Sequence, residues 1–326
     1  MTSAQGAGRR GVSQRVRGVL AERPWIGPLA ALVVVFVLFG LATPETFLRT
    51  QNLLTMARQT VVVGVCALGM TMIIVTGGID LSVGSVVALT TVIIAARLRD
   101  GAGPVSAAVT GVAVGGAVGA AVGVLVGRFR MMPFVVTLGT MSALRGVAKG
   151  IAKEQKIDCD PRGLDTLLVS AQGMGPGLFV ALGLAVLVAL TLTYTRFGRH
   201  VFAVGSNEAA ARLAGIDPSH VKLLVYTLAG LAFGVGGVME FSTLTVGDPT
   251  DSIGLELDVI AAVVIGGAPL AGGEGSVVGS ILGALLMTVI KTGAVHLGLP
   301  TWVQEIVTGG IIVVAVALDR ARYARR

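Results

Sequence analysis

Charged residues are scarce in this sequence. They make up only 13% of the 326 positions, against about 25% in an average soluble protein. A soluble chain in which 54% of the residues are hydrophobic would have too little polar side-chain area to cover its surface. Lipid tails accept apolar side chains directly. The shortage of charge therefore excludes an ordinary soluble domain and predicts an integral membrane protein.

Residues that usually carry catalysis or metal binding are also few. The three histidines (His200, His220, His296) are far apart, and the two cysteines (Cys66, Cys159) show no CxxC spacing. The sequence contains neither a GxxxxGK[ST] phosphate loop nor an HExxH motif. We therefore expect no catalytic residue, no metal site, no bound cofactor and no ATP site of the P-loop kind in this chain.

Apolar runs of membrane length recur along the chain. A helical span needs about 20 mostly apolar residues, and several of the runs are only 14–17 residues long. Short runs are often re-entrant or buried inside a bundle. The sequence therefore predicts an all-α polytopic membrane bundle of about ten transmembrane helices, some short or broken. The ten runs are 26–43, 61–76, 83–96, 105–127, 133–148, 176–195, 222–241, 257–270, 276–291 and 302–318.

Basic residues indicate the orientation of this bundle. Segments 1–25, 128–132, 196–222 and 319–326 hold 15 of the 25 Lys and Arg residues, whereas segment 242–258 holds none. The positive-inside rule then predicts that both termini are cytoplasmic. We expect a basic cytoplasmic tail (1–25), a transmembrane domain (26–318) that contains a cytoplasmic loop (196–221), and a cytoplasmic tail (319–326).

Two further features bear on this topology. The segment 145–165, placed outside, is mixed, with five basic and four acidic residues. The N-terminal arginines followed by an apolar run resemble a signal peptide, but no small-x-small cleavage site follows, so we interpret the run as an uncleaved first span. Basic residues are not interleaved with aromatic ones, so we expect no nucleic-acid partner.

Glycines recur at helical spacing in the run 105–127. Gly111, Gly115, Gly119 and Gly123 are four residues apart, which leaves one helix face without side chains. Such a face lets a neighbouring backbone approach closely. We interpret the repeat as a helix-packing surface, with a lining for the solute path as the alternative.

Two glycine-rich breaks interrupt the apolar sequence. The first contains Gly77, Gly78, Asp80 and Ser82, and the second begins with Gly266 and Gly267. Each continues into a Gly-Ser-Val-Val run, which indicates an internal duplication or, in so biased a composition, a chance similarity. We expect Asp80 or Ser82 to cap the helix that follows. All six residues are candidates for gating or for lining a pathway.

The cytoplasmic loop 196–221 is the least membrane-like stretch. Ser206 or Asn207 is suited to an N-cap, Glu208 and Arg212 form an i, i+4 pair, and Gly215 supplies a left-handed stop. These signals predict a helix of about two turns, roughly 12 Å long, whose small residues fit a groove on a partner; a simple connector is the alternative. The candidate docking residues are Gly205, Asn207, Glu208, Ala209, Ala210, Arg212 and Gly215.

At this point a family resemblance becomes specific. The run 208–216 (Glu-Ala-Ala-Ala-Arg-Leu-Ala-Gly-Ile) resembles the cytoplasmic coupling segment of ABC-importer permeases, in particular the ribose-type family that serves monosaccharides. The stretches 77–85, 266–284 and 309–319 are also similar to that family. Lys291-Thr292-Gly293 departs from it, because the family often has Asn-Gly there, and this departure concerns the choice of solute.

The resemblance implies a multi-subunit importer in a bacterial inner membrane. Two copies of this chain, or one copy and a close relative, would form the pathway. Separate cytoplasmic ATP-binding subunits would hold the 196–220 loops and use the ATP, while a solute-binding protein would deliver solute outside. A permease for a nucleoside or a branched-chain amino acid is the nearest alternative. An ion-coupled secondary transporter is a third, but it requires an ionisable pair within the spans, and we expect none.

Overall fold

The structure is a computed structural model that describes residues 25–170 and 173–323. The predicted tail 1–25 lies outside the described residues except for Trp25, as do the last three residues of the tail 319–326. Within the described residues there are 13 α-helices. These are α1 Ile26–Ala42, α2 Pro44–Phe47, α3 Thr50–Val75, α4 Val83–Arg99, α5 Pro104–Gly123, α6 Pro133–Ala152, α7 Gly177–Tyr194, α8 Arg196–Ser206, α9 Glu208–Leu213, α10 Pro218–Leu244, α11 Leu255–Ile265, α12 Val277–His296 and α13 Thr301–Tyr323.

Strands contribute only short clips between loops in the described part of the chain. β1 (Ile157–Asp158) pairs antiparallel with β4 (Val246–Gly247), and β2 (Val169–Ser170) pairs antiparallel with β3 (Gly173–Met174). A π turn, Val124–Arg128, extends α5.

Every predicted apolar run falls in a helix, so the expected all-α polytopic bundle is confirmed. Five helices are long and apolar enough to cross a bilayer by themselves: α3, α5 with its π turn, α7, α10 and α12. In contrast, α11 has 11 residues and spans only about 16 Å. It ends well before position 270, because Gly266 and Gly267 turn the chain, the latter at a φ of +96°.

The helix connections gather at two ends of the bundle. The α9 end contains the first break, the 129–132 turn, α8, α9 and the second break; a hydrogen bond from Gly273 N to Val75 O (2.8 Å) joins the two breaks there. The strand end contains the 100–103 turn, the 153–176 loop, β4 and the 248–254 segment. Arg162 Nη1 donates there to the Gly101 and Ala102 carbonyl oxygens. This grouping agrees with the alternation of sides that the charge pattern predicts.

Helices α3 and α10 form the centre of the bundle. From Val61 to Val75, α3 is buried almost continuously, and α10 packs against α3, α4 and α5. The peripheral helices expose apolar side chains instead, for example Leu41 of α1 (76% exposed) and Phe179 of α7 (71% exposed). In a bilayer such side chains face lipid at no cost.

Candidate functional site

The glycine repeat of α5 lies against the main chain of α10. A β-carbon on Gly119 would overlap the carbonyl oxygen of Tyr226, and one on Gly115 would overlap that of Gly230. No side chain fits between the two helices at these levels, so their backbones touch directly.

The other two predicted packing glycines are also enclosed. A β-carbon on Gly123 would lie 2.9 Å from the Leu223 Cα, and one on Gly111 would lie 2.8 Å from the Thr90 Cγ2 of α4. All four glycines are buried. They therefore face neighbouring helices rather than an open path for solute.

The first break is held by its own turn. Asp80 is buried, and its Oδ1 accepts hydrogen bonds from the Ser82 amide (2.7 Å) and the Ser82 hydroxyl (2.6 Å). The expectation that Asp80 or Ser82 caps α4 is wrong, because neither side chain accepts a bond from the amides of the first helical turn. The Asp80 carboxylate instead closes the turn that precedes the helix.

The first break is also wedged between two helices. A β-carbon on Gly78 would lie 2.6 Å from the hydroxyl oxygen of Tyr226, a buried residue of α10. On the other side, Thr137 of α6 donates to the Ile79 carbonyl oxygen (3.3 Å). A residue larger than glycine at position 78 would push the break away from α10.

The two breaks meet at their backbones. Besides the bond from Gly273 N to Val75 O, a β-carbon on Gly272 would lie 2.7 Å from the Gly77 amide nitrogen. Gly77, Gly272 and Gly273 all have φ between +77° and +85°, a region that strongly favours glycine. Sequence reasoning identified Gly77 but missed Gly272 and Gly273 as its partners.

The end of α8 completes this contact. A β-carbon on Gly205 would overlap the Val75 carbonyl oxygen and lie 2.8 Å from the Gly273 amide nitrogen. We call the set Val75, Gly77, Gly205, Gly272 and Gly273 the glycine junction. It brings the candidate docking residue Gly205 to both breaks.

Gly266 and Gly267 lie elsewhere in the second break. A β-carbon on Gly266 would lie 2.5 Å from the Gly279 carbonyl carbon of α12. Gly266 therefore serves the packing of α11 on α12, while Gly267 makes the turn after α11. Neither belongs to the glycine junction.

The segment 196–206 is a helix that the sequence analysis missed. Thr195 Oγ1 caps α8 by accepting from the Gly198 amide (3.1 Å), while Val201 and Val204 are buried beneath it. Apolar residues at positions 197, 201 and 204 follow helical spacing and provide the signal that could have identified α8. The helix fixes Gly205 at the glycine junction.

The predicted docking helix is α9. Asn207 is its N-cap, with its Oδ1 accepting from the Ala210 amide (2.9 Å), and Gly215 follows at a φ of +82°. The helix has six residues and a length of about 9 Å, shorter than expected. Ala209, Ala210 and Leu213 are exposed, Leu213 at 92%.

Glu208 ties α9 to the bundle. Its Oε2 accepts from Lys222 Nζ of α10 (2.6 Å), and its Oε1 accepts from Arg212 Nη2 (3.3 Å). The hydrogen bond from Lys222, with the charges of both cations, lowers the pKa of Glu208 below its ordinary value. The Arg212 pair was predicted, whereas Lys222 was not, because its proximity depends on how α10 folds back.

An ion pair between spans contradicts the sequence expectation. Lys291 of α12 donates to Asp258 Oδ2 of α11. Each residue lies near the edge of its own predicted run, so neither indicated a pair by itself. The antiparallel packing of α11 on α12 brings them together.

At the strand end, charges fasten the segment 248–254. Arg145 Nη1 of α6 donates to the carbonyl oxygens of Pro249 (3.0 Å) and Asp251 (2.6 Å), and Lys156 pairs with Asp248 (3.0 Å). These contacts give a physical role to the mixed charge of the segment 145–165, which tethers the loop before α11.

The fold and these contacts define a class of protein. It is a polytopic α-helical membrane protein in which the two glycine-rich breaks meet the capped helix α8 at the glycine junction. Residues 52–316 match the family described as branched-chain amino acid transport system / permease component. The chain belongs to this family of transport permeases.

Characterised relatives align over nearly the whole chain. The ribose import permease protein of Bacillus subtilis is 38% identical, over 92% of this chain and 94% of its own length. The L-arabinose ABC transporter permease of Azospirillum brasilense is 33% identical (92% and 88%), and the galactose/methyl galactoside import permease of Salmonella typhimurium is 32% identical (93% and 96%). No solved structure gives a significant match to this chain.

Proposed function

We propose that this chain is the membrane-spanning permease subunit of a binding-protein-dependent ABC importer for a monosaccharide or similar small solute. The full-length similarity to pentose and hexose permeases carries this proposal. The family description names branched-chain amino acids, but the ribose, L-arabinose and galactose permeases above align over nearly the whole chain, so a sugar is favoured over an amino acid or a nucleoside.

The charge pattern and the grouping of loops support one orientation of the chain in the membrane. The α9 end and both termini face the cytoplasm, and the strand end faces outward from the bacterial inner membrane. ATP-binding subunits dock on α8 and α9 and hydrolyse the ATP, and the solute-binding protein docks on the strand end. A second copy of the chain, or a close relative, completes the pathway. This chain supplies no ATPase site and binds no cofactor or metal.

The glycine junction suggests how nucleotide binding reaches the spans. When the ATP-binding subunits close, α9 and α8 move as one body, because Glu208 and the caps at Thr195 and Asn207 keep them ordered. Gly205 transmits that displacement through main-chain contact to both breaks at once. The breaks begin α4 and α12, so their movement switches access to the pathway between the two sides.

Reconstituted transport tests this function. The chain is placed in proteoliposomes with its ATP-binding subunits, and the solute-binding protein and labelled D-ribose, L-arabinose or D-galactose are added. We expect ATP-dependent accumulation of at least one sugar and no accumulation of L-leucine or uridine. Uptake driven by an ion gradient without the ATP-binding subunits would refute the proposal.

Replacing Glu208 tests the docking role of α9. Glu208→Gln removes the negative charge shared by Lys222 and Arg212, and partly exposed pairs of this kind contribute up to about 1 kcal/mol. We expect sugar uptake per ATP hydrolysed to fall roughly twofold to fivefold, with normal membrane insertion. The matched control is Glu45→Gln, an exposed glutamate of α2 outside both proposed docking surfaces. Equal coupling ratios in the two variants would contradict the role of Glu208.

The same contact predicts a dependence on pH. Because the folded pKa of Glu208 lies below its ordinary value of 4.5, its contribution to stability is present above that value and is lost as pH falls through the folded pKa. The protection factors of the α9 amides, which compare observed with intrinsic exchange at each pH, should therefore fall in acid more in the wild type than in Glu208→Gln. An identical acid response would argue against the ion pair.

A further inference from the structure

The ion pair between Lys291 and Asp258 lies within the spans, and only its lysine side chain is partly exposed. Lys291 is five residues before His296, so it lies about 8 Å inside the strand end of α12. Its side chain is 44% exposed, whereas that of Asp258 is 7% exposed. A lysine charge facing lipid costs about 3 kcal/mol at the centre of a span and less towards its ends. The half-exposed Lys291 side chain is therefore better placed facing an aqueous space than facing acyl chains.

Other polar and exposed residues lie close to the pair along the chain. The hydroxyl of Thr292, which follows Lys291, is buried and donates to Gln59 Oε1 of α3 (3.4 Å), and the Gln59 side chain is exposed. Leu257 precedes Asp258 in α11 and Ile253 lies in the segment before that helix; they are 45% and 75% exposed. Hydrogen-bonding groups among exposed apolar side chains are typical of small-molecule sites.

The pair is not optimised as a structural bridge. A buried ion pair stabilises a fold only when its remaining hydrogen-bonding capacity is also satisfied. Asp258 Oδ1 is buried and has no hydrogen-bond partner among the residues that the structure describes. A lysine near a helix end can also reach water by extending along its own helix. Asp258, three residues after the first residue of α11, holds this ammonium near the strand end.

We propose that Lys291, positioned by Asp258, donates hydrogen bonds to the hydroxyl groups of a sugar in the translocation pathway. An ammonium has three N–H donors, and Asp258 occupies one of them, so two remain for hydroxyl oxygens of the solute. This inference rests on the proposed sugar import. It goes further by assigning the face that carries Lys291 to the lining of the path. In a homodimer each copy would contribute one such pair.

Cysteine accessibility tests the proposal without requiring transport. In a Cys159→Ser background, Lys291→Cys and Leu257→Cys are each placed in the assembled transporter, in right-side-out vesicles. Leu257→Cys leaves the ion pair intact, so it remains informative if Lys291→Cys folds poorly. Each test position has a control at the same depth on α7: Leu182→Cys (51% exposed, five residues from the strand end) for Lys291, and Phe179→Cys (71% exposed, two residues from that end) for Leu257.

The readout is the rate of modification by a membrane-impermeant, charged methanethiosulfonate reagent. We expect both test cysteines to react at least tenfold faster than their controls, and excess D-ribose or D-galactose to slow them at least threefold. Rates equal to the controls would overturn the assignment of this face to the pathway. Fast reaction that neither sugar slows, or that only L-leucine slows, would overturn sugar binding.

Uptake by the unmodified variants separates this inference from the proposed function. If Leu257→Cys imports sugar with ATP while both test cysteines stay unreactive, only the role of Lys291 is wrong. If the wild-type transporter imports no sugar at all, the proposed function is wrong.

Discussion

Gly205→Ala is expected to lower solute uptake at least tenfold while the protein still inserts in the membrane. The added β-carbon would overlap the Val75 carbonyl oxygen and crowd the Gly273 amide. Both are backbone atoms that no rotamer change can move. The overlap is removed only if α8 shifts away from the two breaks. That shift separates the docking segment from the spans. Overpacking of this kind costs about 1–3 kcal/mol, so we expect uptake to fall tenfold or more.

The measurement is ATP-driven sugar uptake in proteoliposomes, normalised to the amount of folded complex recovered by size-exclusion chromatography. ATP hydrolysis is followed in the same preparations and should persist, since the change does not touch the exposed face of α9. Gly139→Ala is the matched control, because a β-carbon there meets no atom within 4 Å. If Gly205→Ala transports as well as Gly139→Ala, the glycine junction does not transmit the movement.

Gly119→Ala should produce the largest loss of stability among single glycine replacements in α5. Its β-carbon would overlap the Tyr226 carbonyl oxygen and force α5 away from α10. A cost of about 2 kcal/mol corresponds to a fall in melting temperature of about 3 °C for a chain of this length. The measurement is thermal unfolding of the purified protein in detergent, followed by tryptophan fluorescence.

The control for this prediction is Gly146→Ala, which is not expected to lower the melting temperature. Gly146 lies within α6 at an exposed position, where a β-carbon meets no atom within 4 Å. Alanine favours a helix interior over glycine by about 0.5–1 kcal/mol, so Gly146→Ala should leave the melting temperature unchanged or raise it. Similar falls in both variants would mean that glycine is needed for flexibility rather than for close packing.

The spans were predictable because the information is local. An apolar run of sufficient length leaves a segment few alternatives to a helix in lipid, and the ten runs all became helices. Local capping signals were nearly as informative: Asn207 and Gly215 bound α9 as expected. Capping failed at Asp80, where the carboxylate had a nearer donor in Ser82 than any amide of α4.

The junction was not predictable, because it depends on which segments meet in space. Nothing in the residues around Gly272 and Gly273 indicates that they contact Gly77 and Val75, almost 200 positions earlier. Lys222 and Asp258 were missed for the same reason, since their partners lie on other helices. The four-residue glycine spacing in α5 predicted a close contact, but it could not identify α10 as the partner.

In the proposed mechanism, the glycine junction keeps the coupling to ATP hydrolysis apart from the recognition of the solute. It consists of main-chain atoms and glycines, so it has no side chain that could be adjusted to fit one solute. Lys291 lies fourteen residues along α12 from Val277, where the helix leaves the second break, which is about 21 Å. In that mechanism, substitutions near the strand end can therefore change the preferred solute without affecting the coupling to the ATP-binding subunits. The product of a duplicated gene could acquire a new solute and still work with the same ATP-binding subunits.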